Sequence, residues 1–252
     1  MVDVGGHKLA YWCAGSGSPT VILEAGYAGG GTFAFMNIES DLAATTRVCT
    51  YDRAGTGYSD PRPTSLEPVT GKQMAKELHA ALKGIGVEPP YVLVGHSFGG
   101  MIVRSYAATY PDEVVGLGLI DAASEMWVTS GLWGLHQWVD NTSPIDMDAM
   151  VRQLQRAPPL GDMPLAVITA GVFAAREKLA RGWATFQSRL ATLSGNSIHV
   201  LAKGSGHAVQ QEDPALVLAT IRAVVEAARS GSKLPPCAEV EANITTAECL
   251  SP

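Results

Sequence analysis

Between a run of apolar strand formers and an apolar helix, residues Gly95-His96-Ser97-Phe98-Gly99 fit the pattern Gly-x-Ser-x-Gly. No other feature of the chain constrains its fold as much. Tyr91-Val-Leu-Val94 enters the motif as a strand, and Met101-Ile-Val-Arg-Ser-Tyr-Ala-Ala leaves it as a helix. A strand that becomes a helix across so short a motif must bend sharply. Glycines two residues before and two after the serine remove the side chains that such a bend would strain. The pattern therefore predicts a nucleophile elbow, with the Ser97 Oγ lifted clear of the backbone. The positive end of the following helix is directed at any oxyanion formed there.

The rest of the chain supplies elements that could flank this turn. His7 to Cys13 alternates like a strand, and Thr20 to Glu24 and Thr46 to Tyr51 are short apolar strands separated by glycine-rich turns. Lys72 to Gly84 carries Met74, Ala75, Leu78 and Leu82 at helical spacing. Val114 to Ile120, Leu165 to Thr169 and Ser197 to Ala202 read as further strands. Pro214 to Ala228 reads as a closing helix, started by Asp213-Pro214. Repeated alternation of this kind predicts an α/β fold, with a mostly parallel central sheet flanked by helices on both faces. At 252 residues and 46% hydrophobic content, one domain spanning 1–252 is expected. About 40 residues between Asp121 and Pro164 break the rhythm and carry Trp127, Trp133 and Trp138 with Met126, Met147 and Met150. They are too apolar for a solvated linker and predict a short helical cap over about 122–163. From about 230 onward the chain reads as a peripheral tail.

Charge and composition narrow the partners. A net charge of −6 with no basic cluster gives no electrostatic footprint for nucleic acid or an anionic membrane. No apolar run approaches the roughly 20 residues needed to span a bilayer, so stable membrane insertion is not expected. A small-molecule substrate is. Metal-ligand spacings such as Cys-x-x-Cys or His-x-x-x-His do not occur, and no metal is assigned. Cys13, Cys49, Cys237 and Cys249 form an even set, read either as two disulfides or as four reduced thiols.

With the elbow in place, Gly26 after a strand, Tyr51-Asp-Arg-Ala-Gly-Thr-Gly-Tyr-Ser-Asp60 and Ser205-Gly-His207 complete a set that resembles the α/β-hydrolase superfamily, from about Val4 to Ala228. The resemblance implies the α/β-hydrolase fold. It also implies a serine hydrolase, esterase- or lipase-like, that needs no cofactor. A serine at the elbow sets the chain apart from the superfamily's dehalogenases and epoxide hydrolases, which need a carboxylate there. The same resemblance implies pairing of Cys13 with Cys49 on adjacent antiparallel strands. Cys237 and Cys249 would close a tail loop, and paired cysteines would indicate a secreted or periplasmic protein rather than a cytoplasmic one.

Serine hydroxyls are poor nucleophiles near neutral pH, so an imidazole must take the proton and a carboxylate must hold that imidazole. Of the six histidines, His207 stands in the loop where the superfamily places its base. His96 and His199 read as structural, and no motif surrounds His7, His79 or His136. The acid has two leading candidates, Asp121 and Glu177, with the acidic residues of the cap behind them. After the strand ending at Thr169, where many relatives carry aspartate, this chain reads Ala-Gly-Val-Phe-Ala-Ala-Arg-Glu177. Asp121, at the end of the preceding strand, keeps the order nucleophile, acid, base and is preferred to Glu177. The resemblance places the oxyanion hole at the backbone N–H groups of Tyr27 and Phe98. Asp52, Arg53, Gly55, Gly57 and Glu24 are read as structural. Trp127, Trp133 and Trp138 are expected to line a pocket for small to medium apolar esters. Lactonase, amide hydrolase and lyase chemistry stay open, as does a binding protein on an inactive hydrolase scaffold.

Overall fold

The computed structural model describes residues 1–27, 29–63, 67–131, 139–140, 143–172, 177–242 and 244–250. Eight strands form the central sheet: β1 Tyr11–Ala14, β2 Thr20–Glu24, β3 Val48–Tyr51, β4 Tyr91–His96, β5 Val114–Ile120, β6 Leu165–Ala170, β7 Ser197–Ala202 and β8 Ala247–Leu250. They lie in the order β8-β7-β6-β5-β4-β2-β3-β1. From β3 to β7 every neighbouring pair is parallel, and the two edge strands join antiparallel. The inner strands are mostly apolar and buried along nearly their whole length because both faces of the sheet are covered.

Successive residues of a strand face opposite sides, and the core divides accordingly. Val21 and Leu23 of β2 join Val92, Val94, Ile168 and Val200 against helix α6 (Pro214–Ser230). Ile22 joins Leu93, Leu119 and Val167 on the other face, against helices α1 (Gly71–Gly84) and α2 (Phe98–Thr109). The start signal read at Asp213-Pro214 acts as expected. Asp213 accepts from the Leu216 N–H at 3.1 Å to cap α6, and Thr70 accepts from the Gln73 N–H at 3.1 Å to cap α1. At its C-terminal end α6 is followed by Gly231, at φ 67°.

Between β5 and β6 stand helices α3 (Glu125–Thr129) and α4 (Met147–Gln155), with a two-residue hairpin ladder, Val139–Asp140 and Ser143–Pro144, between them. Met150, Leu154 and Trp127 from this segment pack on Met101, Ile102 and Phe98 of α2. The segment is also tied to α2 by polar contacts. Arg104 donates to both Glu125 carboxylate oxygens at 2.6 and 3.1 Å, and Gln153 donates to the Ser105 carbonyl at 3.2 Å. Trp133, Trp138 and His136 lie outside the described residues.

Cys13 and Cys49 stand directly opposite on antiparallel β1 and β3, with Cα atoms 4.1 Å apart, and are joined by a disulfide. Cys237 and Cys249 form the second disulfide. Residues 247–250 extend the sheet as β8, pairing with β7 from His199 to Ala202. No helix among the described residues is long and apolar enough to cross a membrane.

Candidate active site

The site lies at the carboxyl ends of the parallel strands, where side chains far apart in sequence meet. Ser97 follows β4 at φ 52° and ψ −123°, a conformation that non-glycine residues adopt rarely and at a cost of about 1–3 kcal/mol. The surroundings hold it there. Its N–H donates to the Ile120 carbonyl at 3.0 Å, and its carbonyl accepts from the N–H groups of Gly100 and Ala123 at 3.0 and 2.8 Å. The two motif glycines allow the turn to close. A Cβ on Gly95 would fall 2.5 Å from the Gly99 carbonyl oxygen, and one on Gly99 would fall 2.5 Å from the carbonyl oxygens of Glu24 and Ala25.

His207 Nε2 stands 2.8 Å from the Ser97 Oγ, and its Nδ1 stands 2.6 Å from the Asp121 Oδ2. The His207 side chain is about half exposed whereas that of Asp121 is fully buried. The other Asp121 oxygen accepts from the Ala170 N–H at 3.0 Å and from the Trp183 indole N–H at 2.7 Å. Three donors thus fix the carboxylate in a dry position with one edge turned to the imidazole. Asp121 itself sits at φ 39°, a left-handed geometry that aspartate tolerates better than most residues. Glu177 begins helix α5 (Glu177–Ala191), and its side chain lies outside the described part of the structure.

Three contributors escaped the sequence reading as parts of the site. Trp183 and Gln187, one turn apart on α5, hold the end of β5: the indole bonds Asp121, and the Gln187 amide donates to the Ala122 carbonyl at 2.7 Å. Spacing along α5 marks an amphipathic helix, but nothing local says that its tryptophan reaches a carboxylate 62 positions away. His96, read as structural, tethers His207. Its Nε2 lies 2.8 Å from the His207 carbonyl oxygen, which can only accept, so that nitrogen carries the proton. Burial, reinforced by neighbouring His207, pushes His96 down to about 4 and keeps it neutral.

The two residues expected to supply the oxyanion hole, Tyr27 and Phe98, are neighbours. They meet edge to face with ring centroids 6.2 Å apart, and a Cβ on Gly26 would lie 3.3 Å from the Ser97 Cβ. Trp127 is buried and packs edge-on against Trp183 at 5.8 Å, whose ring stands 6.1 Å from that of His207. It lies one aromatic ring behind His207. The one group of three potential metal-ligating side chains among the described residues is Cys237, Glu241 and Cys249, and both of its sulfurs are joined in the disulfide.

Known proteins agree with this architecture. A Bacillus subtilis (strain 168) protein, YqjL, is 29% identical over 211 residues, which covers 81% of this chain and 82% of that one. A thermophilic esterase from Thermogutta terrifontis superposes with a TM-score of 0.64 at 20% identity, covering 88% of this chain and 94% of the other. Est816, described as an N-acyl homoserine lactone degrading enzyme, gives a TM-score of 0.64 at 19% identity, over 88% and 98% of the two chains. A sequence model of the alpha/beta hydrolase fold matches residues 19–154. The fold, the elbow and this match together mean that the chain belongs to the α/β-hydrolase family.

Proposed function

We propose that the chain is a serine hydrolase of carboxylic esters that works through an acyl-enzyme. The observation that carries this reading is the continuous relay from a strained, elbow-mounted Ser97 through His207 to a fully buried Asp121, at 2.8 and 2.6 Å. In the first half-reaction, Ser97 Oγ attacks the ester carbonyl carbon as His207 Nε2 takes the hydroxyl proton. Asp121 holds Nδ1–H and stabilises the imidazolium. Negative charge collects on the former carbonyl oxygen, where the Phe98 and Tyr27 N–H groups and the start of the 12-residue α2 meet it. As the C–O bond breaks, His207 gives its proton to the leaving alcohol. Water then enters, loses a proton to His207 and attacks the acyl carbon, and Ser97 leaves as the hydroxyl.

The segment over about 122–163 serves as a cap in this reading. By composition, with Trp127, Trp133, Trp138 and several methionines in its sequence, it suits a small or medium apolar acyl or alcohol group. Two disulfides favour an oxidising compartment, outside the cytoplasm. Likeness to Est816 favours a second substrate form, a lactone, which is an ester whose alcohol stays tethered to the acyl group.

A fluorophosphonate should label the protein once, and Ser97→Ala should abolish both labelling and ester turnover. Across p-nitrophenyl esters from acetate to octanoate, kcat/KM should rise until the pocket is full, each added methylene contributing about 0.8 kcal/mol. Label on a different serine would remove the mechanism. A flat series, or a preference for charged esters, would remove the apolar pocket.

A further inference from the structure

Beneath the oxyanion loop lies a buried ionic cluster that the relay does not use. Arg53 is 3% exposed and Glu24 is fully buried. Arg53 Nη1 is 2.6 Å from the Glu24 Oε1, and the Tyr51 hydroxyl donates to the other Glu24 oxygen. The same guanidinium donates from Nη1 to the Ala25 carbonyl at 2.7 Å and from Nη2 to the Gly26 carbonyl at 2.6 Å. Its carbon stands 5.9 Å from the centre of the Phe98 ring. A charged pair this deep is costly to desolvate and gives little net stability, so its value is to be sought in what it holds.

What it holds is the peptide unit between Gly26 and Tyr27. A trans peptide is planar, with its C=O and N–H directed oppositely. Fixing the Gly26 carbonyl on Arg53 therefore fixes the Tyr27 N–H in the reverse direction, away from the guanidinium. Gly26 itself abuts the nucleophile, since a Cβ there would come 3.3 Å from the Ser97 Cβ and 3.0 Å from the His96 Nδ1.

We infer that Arg53 is a positioning residue for ester hydrolysis: braced by Glu24, it grips the Ala25 and Gly26 carbonyls and so aims the Tyr27 N–H at the oxyanion formed on the Ser97 adduct. The inference rests on the acyl-enzyme reading given above. A rigid planar fork is needed for the task, because one group must reach two carbonyls and a carboxylate at once, and a lysine ammonium lacks that geometry. Arg53 is too buried to touch substrate. Its effect belongs to the transition state, where the oxyanion exists, and not to the binding of the neutral ester.

Arg53→Met, Arg53→Lys and Glu24→Gln test this, with p-nitrophenyl butyrate as substrate and a trifluoromethyl ketone analogue as a mimic of the tetrahedral adduct. Arg53→Met should lower kcat by about 10²-fold, the scale for loss of one oxyanion donor, while KM stays within about threefold. Affinity for the ketone should fall in step with kcat/KM across the three variants, which a general loosening of the fold would not produce. Melting curves identify the folded variants. Should Arg53→Met not fold, Arg53→Lys decides, since it keeps the charge but not the fork. A kcat within threefold of wild type in either folded arginine variant overturns the inference, as does a loss confined to KM. Wild-type protein that neither turns over the ester nor takes up a fluorophosphonate overturns the acyl-enzyme reading and this inference with it. Wild type that does both, beside fully active arginine variants, overturns this inference alone.

Discussion

At the scale of single residues, the proposed acid is where the chain departs from the commoner pattern that its family resemblance implies. Asp121 and Glu177 were both open in the sequence because each precedes His207 and follows Ser97. What distinguishes them is the pair of donors on the inner oxygen of Asp121, the Ala170 N–H and the Trp183 indole. They also determine what a substitution does. In Asp121→Asn the amide oxygen must face these two donors, which turns the NH₂ toward His207 Nδ1 and forces the imidazole into the wrong tautomer. Asparagine tolerates the φ of 39° at this position, so the variant should fold. We expect kcat to drop by roughly 10⁴-fold with the melting temperature little changed. Glu177→Gln should stay within about tenfold of wild type, a smaller loss than one removed general acid or base would give. A folded, active Asp121→Asn beside a dead Glu177→Gln would transfer the role to Glu177.

At the scale of elements, the elbow works because strand and helix touch backbone to backbone. Gly99 faces the carbonyl oxygens of Glu24 and Ala25 at the end of β2, which cannot yield as a flexible side chain could. Gly99→Ala should cost about 1–3 kcal/mol by overpacking and displace the oxyanion loop, so denaturant stability and kcat fall together. Gly204→Ala is the control, since a Cβ there meets nothing within 4 Å, and it should change neither. Equal stabilities for the two variants would show that the turn has slack. Helix α5 acts instead through side chains, its Trp183 and Gln187 gripping consecutive residues at the end of β5. Amphipathic spacing makes such a helix legible in a sequence. Its polar contacts across the sheet are not, because they depend on where the helix docks.

For the whole molecule, two buried histidines predict how stability responds to acid. Burial pushes His96 and His199 each down to about 4, from an ordinary value of 6.5. Between those values the unfolded chain binds the protons that the folded chain refuses, so stability falls as pH falls. The contribution is fully present above about 6.5 and is lost by about 4, at most about 3 kcal/mol for each histidine. Urea denaturation at stepped pH should show the decline. His199→Gln keeps a side-chain amide near Thr169 and cannot titrate, so it should flatten part of the slope. An unchanged slope in that variant would contradict the assignment. The sequence by itself determined the first seven strands of the sheet in order, helices α1, α2 and α6, the elbow and the loop carrying His207, because periodicity, turn glycines and caps are local and repeat along the chain. Tertiary structure alone decided which carboxylate meets the imidazole, that the tail adds an edge strand, and that Arg53, Trp183 and His96 stand behind the reacting groups. Those contacts join residues as far as 111 positions apart, and their partners are set by how helices pack on the sheet, which no local pattern encodes.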